Sequence, residues 1–396
     1  MSAVHLGQRG SLGPDRRPRH RIVLAAVVTA SLVVLAACGS SAGTQAQTSG
    51  GSGGAGVEAA RSAFQARMQR VAGLGDLNQP LKSKPQPGKV LVQLSGTPSV
   101  TAGIYDTAFA EATAAAGWTL KTIPFKLADP ATLAAALDTA LQFNPAAVTV
   151  PGVDPKLYEA SRAKYAAAGV AFIGLTVPTL PSSTTPPVVN ILGTKNLQAQ
   201  GAAAADWFIS DSQGTGNALV LGIPAYPLFS IMADAFKAEV TKNCPGCKAT
   251  PLDLTIQSVA AQAIPAQVVS TLRRDPSITH IATLDGAFLN GLSTQLKAAG
   301  LAERVKIGGA FLRPNNFDEV KSGSISAMTQ QSSAVQAWAA VDAALRIAEG
   351  SALPTDAYDV APPFSIVDKS NIGSLADPMA SPQDYRDQFK KLWLVG

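Results

Sequence analysis

The sequence predicts an α/β protein with two lobes, each built on a doubly wound parallel sheet, joined by a multi-strand hinge. From residue 89 to residue 350, short runs rich in Val, Ile and Thr alternate with alanine-rich helical segments. Such alternation is typical of parallel sheets with helices on both faces. A segment rich in Pro, Ser and Thr at 177–187 interrupts the pattern after the fourth strand, which indicates two sheets rather than one.

The predicted strands are short apolar runs bounded by turn or helix signals. In chain order they lie at 89–95, 119–125, 146–150, 170–175, 188–192, 217–222, 250–255, 280–284, 305–309 and 325–329. The helices between them lie at 101–116, 131–143, 156–168, 196–212, 227–242, 261–273, 288–299 and 334–349. Several of these helices are followed by glycine, as expected for a left-handed C-cap, at Gly117, Gly169, Gly300 and Gly350.

These elements predict a first lobe at 89–180 that is completed by 331–352, and a second lobe at 181–330 that is completed by 353–396. A short amphipathic helix and a linker rich in Pro and Gly precede the lobes at 57–88. The carboxyl ends of parallel strands meet at one edge of a sheet, and ligands collect there. We therefore expect a binding cleft where the two edges face each other.

The N-terminal segment has the pattern of an export signal. Arginines at 16–21 precede an uncharged run at 22–37, which as a helix is about 24 Å long and shorter than a ~30 Å hydrocarbon core. Leu35-Ala36-Ala37-Cys38 resembles the lipobox of bacterial lipoproteins, which implies removal of 1–37 and lipid attachment to Cys38. The alternative is a signal anchor with an incidental cysteine. Residues 38–56 then form a flexible tether that holds the body at the extracytoplasmic face of the cell membrane.

Composition excludes several classes of protein. With 46% hydrophobic and 15% charged residues, the chain is too apolar to be disordered. The net charge of +5 comes from the leader, since residues 38–396 hold 27 basic and 26 acidic residues, and we expect no nucleic-acid partner. His280 is the only histidine after residue 37, which excludes a His-based metal cluster there, and we expect neither a metal nor a cofactor.

The pair Cys244 and Cys247 follows the helix predicted at 227–242. A redox-active pair sits at a helix N-terminus, where the dipole stabilises a thiolate, whereas a helix C-terminus opposes one. In an exported protein we therefore expect a structural disulfide between these two residues.

Short motifs carry a family resemblance, and four of them are Ala116-Gly117-Trp118, Asn144-Pro145-Ala146, Val153-Asp154-Pro155 and Leu284-Asp285-Gly286. Their order and spacing resemble the type 1 periplasmic solute-binding proteins, in the sugar-binding branch that serves ABC importers. The resemblance runs from about residue 89 to residue 350 and implies the type 1 periplasmic binding protein fold. It also implies a small-molecule ligand held between the lobes, delivery to the importer's membrane subunits, and no catalysis.

The predicted ligand-binding residues are strand-end residues that face the presumed cleft: Thr97, Ser99, Asp154, Thr176, Tyr226, Phe229, Asp285, Phe311 and Gln330. The resemblance implies aromatic side chains stacked on a sugar, with Asp, Asn and Arg bound to its hydroxyls. Only Gln330 matches the family pattern directly. If the alignment shifts by one or two residues, Asp285 takes the position of the family's asparagine. Two ligand classes therefore stay open, a sugar-like molecule and a less polar neutral compound.

Two other functions also stay open. The same fold would serve a ligand sensor that docks on a membrane receptor kinase and transports nothing. An exported hydrolase would need two carboxylates about 5–10 Å apart. Asp154 and Asp285 are the obvious pair in the presumed cleft, on opposite lobes, so we expect no enzyme activity.

Overall fold

The computed structural model describes residues 52–99 and 101–396. The predicted signal peptide at 1–37, the lipidated Cys38 and most of the predicted tether lie outside the described residues. Within the described ranges, no helix combines the length and hydropathy that a membrane span requires.

The first lobe is a six-stranded sheet with helices on both faces. Its strands are β1 (Val90–Thr97), β2 (Thr119–Lys126), β3 (Ala147–Pro151), β4 (Ala171–Leu175), β5 (Ser183–Thr184) and β6 (Pro187–Ile191). They lie in the order β2-β1-β3-β4-β6-β5, and only the short β5 is antiparallel to its neighbour. The helices of this lobe are α2 (Ala102–Ala115), α3 (Pro130–Leu141), α4 (Glu159–Ala167) and α11 (Ser333–Ala348).

The second lobe repeats this architecture. Its strands are β7 (Asn217–Gly222), β8 (Lys248–Asp253), β9 (His280–Thr283), β10 (Lys306–Gly309), β11 (Ala327–Gln330) and β12 (Ser365–Val367), in the order β12-β11-β10-β9-β7-β8. Its helices are α5 (Thr194–Asp211), α6 (Pro227–Asn243), α7 (Ile256–Ala260), α8 (Ile264–Arg274), α9 (Leu292–Ala298) and α10 (Phe317–Ser322). The predicted fold class, two doubly wound lobes of mostly parallel strands, is confirmed.

The predicted lobe boundary between residues 180 and 181 is wrong. Strand β6 pairs in parallel with β4, with Ile173 opposite Val189, so it belongs to the first sheet. The segment at 177–187 stays within the first lobe and contains the short β5, and the Asn190 side chain accepts a hydrogen bond from the Val177 amide at 3.0 Å. The chain crosses to the second lobe after Ile191, because α5 packs on the second sheet.

The C-terminal tail divides between the lobes, which corrects the prediction that 353–396 completes the second lobe alone. After the short α12 (Thr355–Val360), strand β12 joins the second sheet, but α13 (Tyr385–Leu392) packs on α11 in the first lobe. Trp393 stacks on Trp338 with ring centroids 5.1 Å apart and donates a 2.8 Å hydrogen bond from Nε1 to the Asp342 carboxylate. Tyr385, Phe389 and Trp393, which form an apolar stripe at helical spacing, therefore complete the core of the first lobe.

The N-terminal helix α1 (Ser52–Arg67) begins five residues before the start predicted at Val57, so the last residues of the predicted tether are helical. It packs on α5 and α6, and at Gly56 it approaches α6 so closely that a Cβ there would lie only 2.3 Å from the carbonyl oxygen of Asn243. The segment that follows inserts Leu74, Leu77 and Leu81 into the first-lobe core. The region predicted as helix and linker therefore bridges the two lobes.

Candidate functional site

A cavity of about 180 Å³ lies between the carboxyl edges of the two sheets. We call it the inner chamber. The first lobe contributes the ends of β1, β3 and β4 and the start of α2, and the second lobe contributes the segments after β9, β10 and β11. Its polar lining includes Gln93, Ser95, Thr101, Tyr105, Asp285 and Arg313. This is where the doubly wound topology predicts a ligand site, since the strand ends of both sheets open into the same space.

An ion pair between Asp285 and Arg313 lines the second-lobe wall of the inner chamber. Arg313 Nε donates to Oδ1 at 2.8 Å and Nη2 donates to Oδ2 at 2.5 Å, a bidentate geometry. The two residues follow adjacent parallel strands, β9 and β10, which brings their side chains together. Burial opposes the arginine charge, but the Asp285 carboxylate outweighs it and raises the pKa of Arg313.

The pair makes the inner chamber electrically neutral while leaving it rich in hydrogen-bonding groups. A guanidinium carries five N–H donors on three nitrogens, and Asp285 engages two of these nitrogens. Asp285 Oδ1 also accepts from the Ala287 amide at 2.9 Å. Donors and acceptors side by side match hydroxyl groups, which both give and receive hydrogen bonds.

A second polar network forms the floor of the inner chamber and joins three elements. Gln336 of α11 donates from Nε2 to Thr176 Oγ1 at 2.8 Å and to the Ile191 carbonyl at 3.1 Å. Its Oε1 accepts the Tyr105 hydroxyl hydrogen bond. Burial raises the pKa of Tyr105, so the phenol stays protonated and donates. The network holds Thr176 and Tyr105 in place before any ligand arrives.

Two residues of the inner chamber have strained backbones. Thr176 and Phe311 have φ angles of 60° and 56°, in the left-handed region that favours glycine. Each follows a strand directly or nearly so, one in each lobe, and both line the chamber. Strain of this kind costs about 1–3 kcal/mol per residue and clusters at ligand sites. Both walls of the inner chamber therefore hold one such strained residue, although other non-glycine residues with positive φ, such as Asn144 and Leu192, lie outside it.

Five of the predicted ligand-binding residues come together in the inner chamber: Ser99, Thr176, Phe229, Asp285 and Phe311. Phe311 also lies under the Arg313 guanidinium, 5.3 Å from its carbon to the ring centroid. The structure therefore gathers one group of predicted residues from distant parts of the sequence.

The other four predicted residues are not among the described residues that line the inner chamber. Thr97 donates to the Phe125 carbonyl at 3.0 Å, and Asp154 caps the turn at 155–158 by accepting from the Lys156 amide at 3.0 Å. Local backbone hydrogen bonds use both side chains.

Tyr226 and Gln330 are also placed elsewhere. Tyr226 precedes α6 and packs against the second-lobe core. Gln330 is buried, donates to the Pro378 carbonyl at 2.6 Å and accepts from Ser365 Oγ at 3.0 Å, so it holds the tail. Its neighbour Gln331 lines the chamber instead. Successive side chains at a strand end point in opposite directions, which explains the error of one residue.

Four further residues that line the inner chamber could not be recognised from the sequence patterns above: Arg313, Gln93, Tyr105 and Gln331. Arg313 carried a usable signal, a charge placed four residues after a glycine-ended strand in a charge-poor chain. Tyr105 lies one helical turn after Thr101, at the start of α2. Its position toward the cleft depends on the packing of α2 and α11, which no local pattern reveals.

The cysteine pair and His280, which the sequence indicated as structural, lie outside the inner chamber. Cys244 and Cys247 form a disulfide at the end of α6, with Cα atoms 5.3 Å apart. His280 packs against Trp207 and Phe208 and shares a 2.9 Å hydrogen bond with Asp211. Neither feature lines the inner chamber described above.

The model of the periplasmic binding protein domain matches residues 99–352. The match spans well over half of the chain, and the chain therefore belongs to the periplasmic binding protein family, a family of transporter solute-binding proteins rather than of enzymes. No curated protein is significantly similar to this sequence.

Solved structures share the fold at low sequence identity. A solute-binding protein from Burkholderia graminis, in complex with D-arabinose, is 18% identical and superposes with a TM-score of 0.64 over 75% of this chain and 100% of its own. A 5-methylthioribose transporter protein from Thermotoga lettingae is 12% identical, with a TM-score of 0.63 over 79% and 99%. One from Actinobacillus succinogenes with bound D-allose is 17% identical, with a TM-score of 0.62 over 73% and 100%. At these identities the likeness establishes the fold.

Proposed function

We propose that this protein is a lipid-anchored, extracytoplasmic solute-binding protein that captures a neutral, hydroxylated small molecule in the inner chamber and delivers it to an ABC importer. The observation that carries the proposal is the Asp285–Arg313 pair, a neutral donor–acceptor surface at the carboxyl edges of two facing lobes. Solved structures of the same fold hold D-arabinose and D-allose, which supports a sugar-like ligand.

Capture depends on lobe closure. Residues from both lobes line the inner chamber, with Tyr105 and Thr176 on one wall and Asp285 and Arg313 on the other. A ligand that bonds both walls stabilises the closed form over the open one, because only the closed form satisfies all of its hydrogen bonds. The chain crosses between the lobes near 192–193, 331–332 and 361–364, and again between α1 and Leu74 and between β12 and α13. A few residues at such crossings can absorb the rotation. The importer's membrane subunits would then recognise the closed form.

A hydrolase is not supported by this geometry. Asp154 caps a turn and does not line the inner chamber that the structure describes, and Asp285 is held in an ion pair with Arg313. The two carboxylates therefore do not form the facing pair that glycoside hydrolysis needs.

The test is a thermal-shift and calorimetry screen of the purified protein against sugars and polyols that includes D-arabinose, D-allose and allitol. A ligand present at 100 times its Kd adds about 2.7 kcal/mol to the stability of the folded protein, which is readily measured. The matched control is the Arg313→Gln variant, which should lose the response. Failure of every sugar and polyol to shift the wild-type protein would overturn the proposal.

The lipid anchor is tested separately. Full-length protein expressed in a bacterial host should fractionate with membranes and carry a lipid mass on its N-terminal cysteine, Cys38 of the full sequence. The Cys38→Ser variant should lose the lipid mass and keep residues 1–37, because cleavage before residue 38 depends on the cysteine, and it should bind ligand with the same affinity. A wild-type protein that keeps residues 1–37 and carries no lipid would favour the signal anchor.

A further inference from the structure

A second, larger cavity of about 540 Å³ opens between the lobes beside the inner chamber. We call it the outer chamber. The first lobe contributes Pro98 and Leu127, and the second lobe contributes Ile256, Val259, Ile264 and Phe288. Among the residues that the structure describes, none of those lining this chamber is charged, and amides such as Gln257 and Asn290 supply its polar groups. Its walls are mainly aliphatic and aromatic.

The two chambers adjoin each other and share part of their lining. Ser99 and Leu127 line both of them. On the opposite wall, Phe229 of the inner chamber contacts Phe288 of the outer chamber, with ring centroids 5.2 Å apart. Asp285 also lines the inner chamber while Ala287, whose amide it binds at 2.9 Å, lines the outer one. A single bound molecule can therefore extend from one chamber into the other.

The two chambers differ in the chemistry that they offer. The inner chamber, at about 180 Å³, is smaller than the ~300–1,000 Å³ of most ligand pockets, whereas the outer chamber, at about 540 Å³, lies within that range. A hydroxylated ligand confined to the inner chamber would leave the apolar walls of the outer chamber facing water. Burying these walls against an apolar group is favourable.

We propose that the ligand is amphipathic: a hydroxylated head binds the Asp285–Arg313 pair, and an uncharged apolar group attached to it fills the outer chamber. This inference rests on the proposed function and narrows its substrate class to sugars or polyols that carry an alkyl, thioalkyl or aryl substituent. Ile256 is the residue that we expect to contact the apolar group. Ile256 is half-buried on α7, lines the outer chamber and is not among the described residues packed on the hydrophobic cores.

The experiment compares unsubstituted sugars with their methyl and butyl glycosides by calorimetry, using D-glucose, D-galactose, D-ribose and D-arabinose as heads. Each methylene buried in the outer chamber should raise affinity about fourfold, which corresponds to ~0.8 kcal/mol. The butyl glycoside of the head that binds should therefore bind about 60-fold more tightly than its methyl glycoside. Equal or weaker binding of the butyl compound overturns the inference and leaves the proposed function standing.

Two variants locate the apolar group. Ile256→Ser should reduce the butyl-to-methyl affinity ratio about tenfold, as expected if ~50 Å² of apolar contact is lost, while the methyl glycoside binds as before. Leu157→Ser is the matched control, since Leu157 is 45% exposed and lies outside both linings. An unchanged ratio in Ile256→Ser would place the chain elsewhere and overturn the assignment. If no sugar or glycoside binds, the proposed function fails and this inference fails with it.

Discussion

Removing one charge from the Asp285–Arg313 pair should damage both folding and binding. The side chains are only 10% and 13% exposed, so the partner left behind would be an uncompensated, largely buried charge. Breaking such a pair costs about 3–5 kcal/mol, and since this one borders a cavity we expect the lower end, about 3 kcal/mol, for Asp285→Asn. Ligand affinity should fall at least 100-fold, about 2.7 kcal/mol, because the head group loses its charge-assisted acceptor.

The assay is a double-mutant cycle read by urea unfolding and by calorimetry. The variants are Asp285→Asn, Arg313→Gln and the combination, and the stability loss of the combination should be at least 1 kcal/mol smaller than the summed losses of the singles. Asp138→Asn is the control, since it breaks a 2.6 Å ion pair with Lys164 whose side chains are both 54% exposed. That change should cost less than about 1 kcal/mol. Additivity within ~0.5 kcal/mol at the cleft pair would refute the reasoning.

Three further predictions concern regions outside the cleft. Burial raises the pKa of Asp206 from 3.8 to about 7. The unfolding free energy should therefore fall by on the order of 4 kcal/mol as pH rises from below 4 to above 7. Urea unfolding at a series of pH values should show this slope in the wild-type protein and lack it in Asp206→Asn. Gly56→Ala should loosen α1 and speed limited proteolysis at its junction with the first lobe, whereas Gly54→Ala, with open space around it, should not. Trp393→Ala should lower the unfolding free energy by about 3–5 kcal/mol, because a fully buried ring is lost and Asp342 loses its indole donor, with no change in ligand affinity.

The regular elements were predictable because their signals are local. The strand predicted at 217–222 matches β7 residue for residue, and β3 and β9 differ by only one residue at one or both ends. A short apolar run between a turn signal and a helix N-terminus identifies a buried strand without reference to its neighbours.

The sequence did not predict which strands and helices pack against each other. The run at Pro187–Ile191 reads as a buried strand in either lobe, and only its pairing with β4 assigns it to the first. The apolar stripe of Tyr385, Phe389 and Trp393 likewise predicts a buried helix face but does not indicate the helix that covers it, which is α11. Apolar periodicity predicts that one face of an element is buried. Which element covers that face depends on the packing of the whole chain.

The same distinction between local and long-range information applies to the candidate site. The sequence by itself determined that Asp285 and Phe311 follow strands, and the topology of parallel sheets then sends both to the cleft. Only the tertiary structure decided that Arg313 neutralises Asp285, that Gln331 rather than Gln330 lines the inner chamber, and that an apolar chamber adjoins the polar one. The physical reason is the sequence separation of the interacting residues. Hydrogen bonds along a strand or at a cap join near neighbours in sequence, whereas the ion pair spans 28 residues and the chambers form between lobes that the chain connects through several separate crossings.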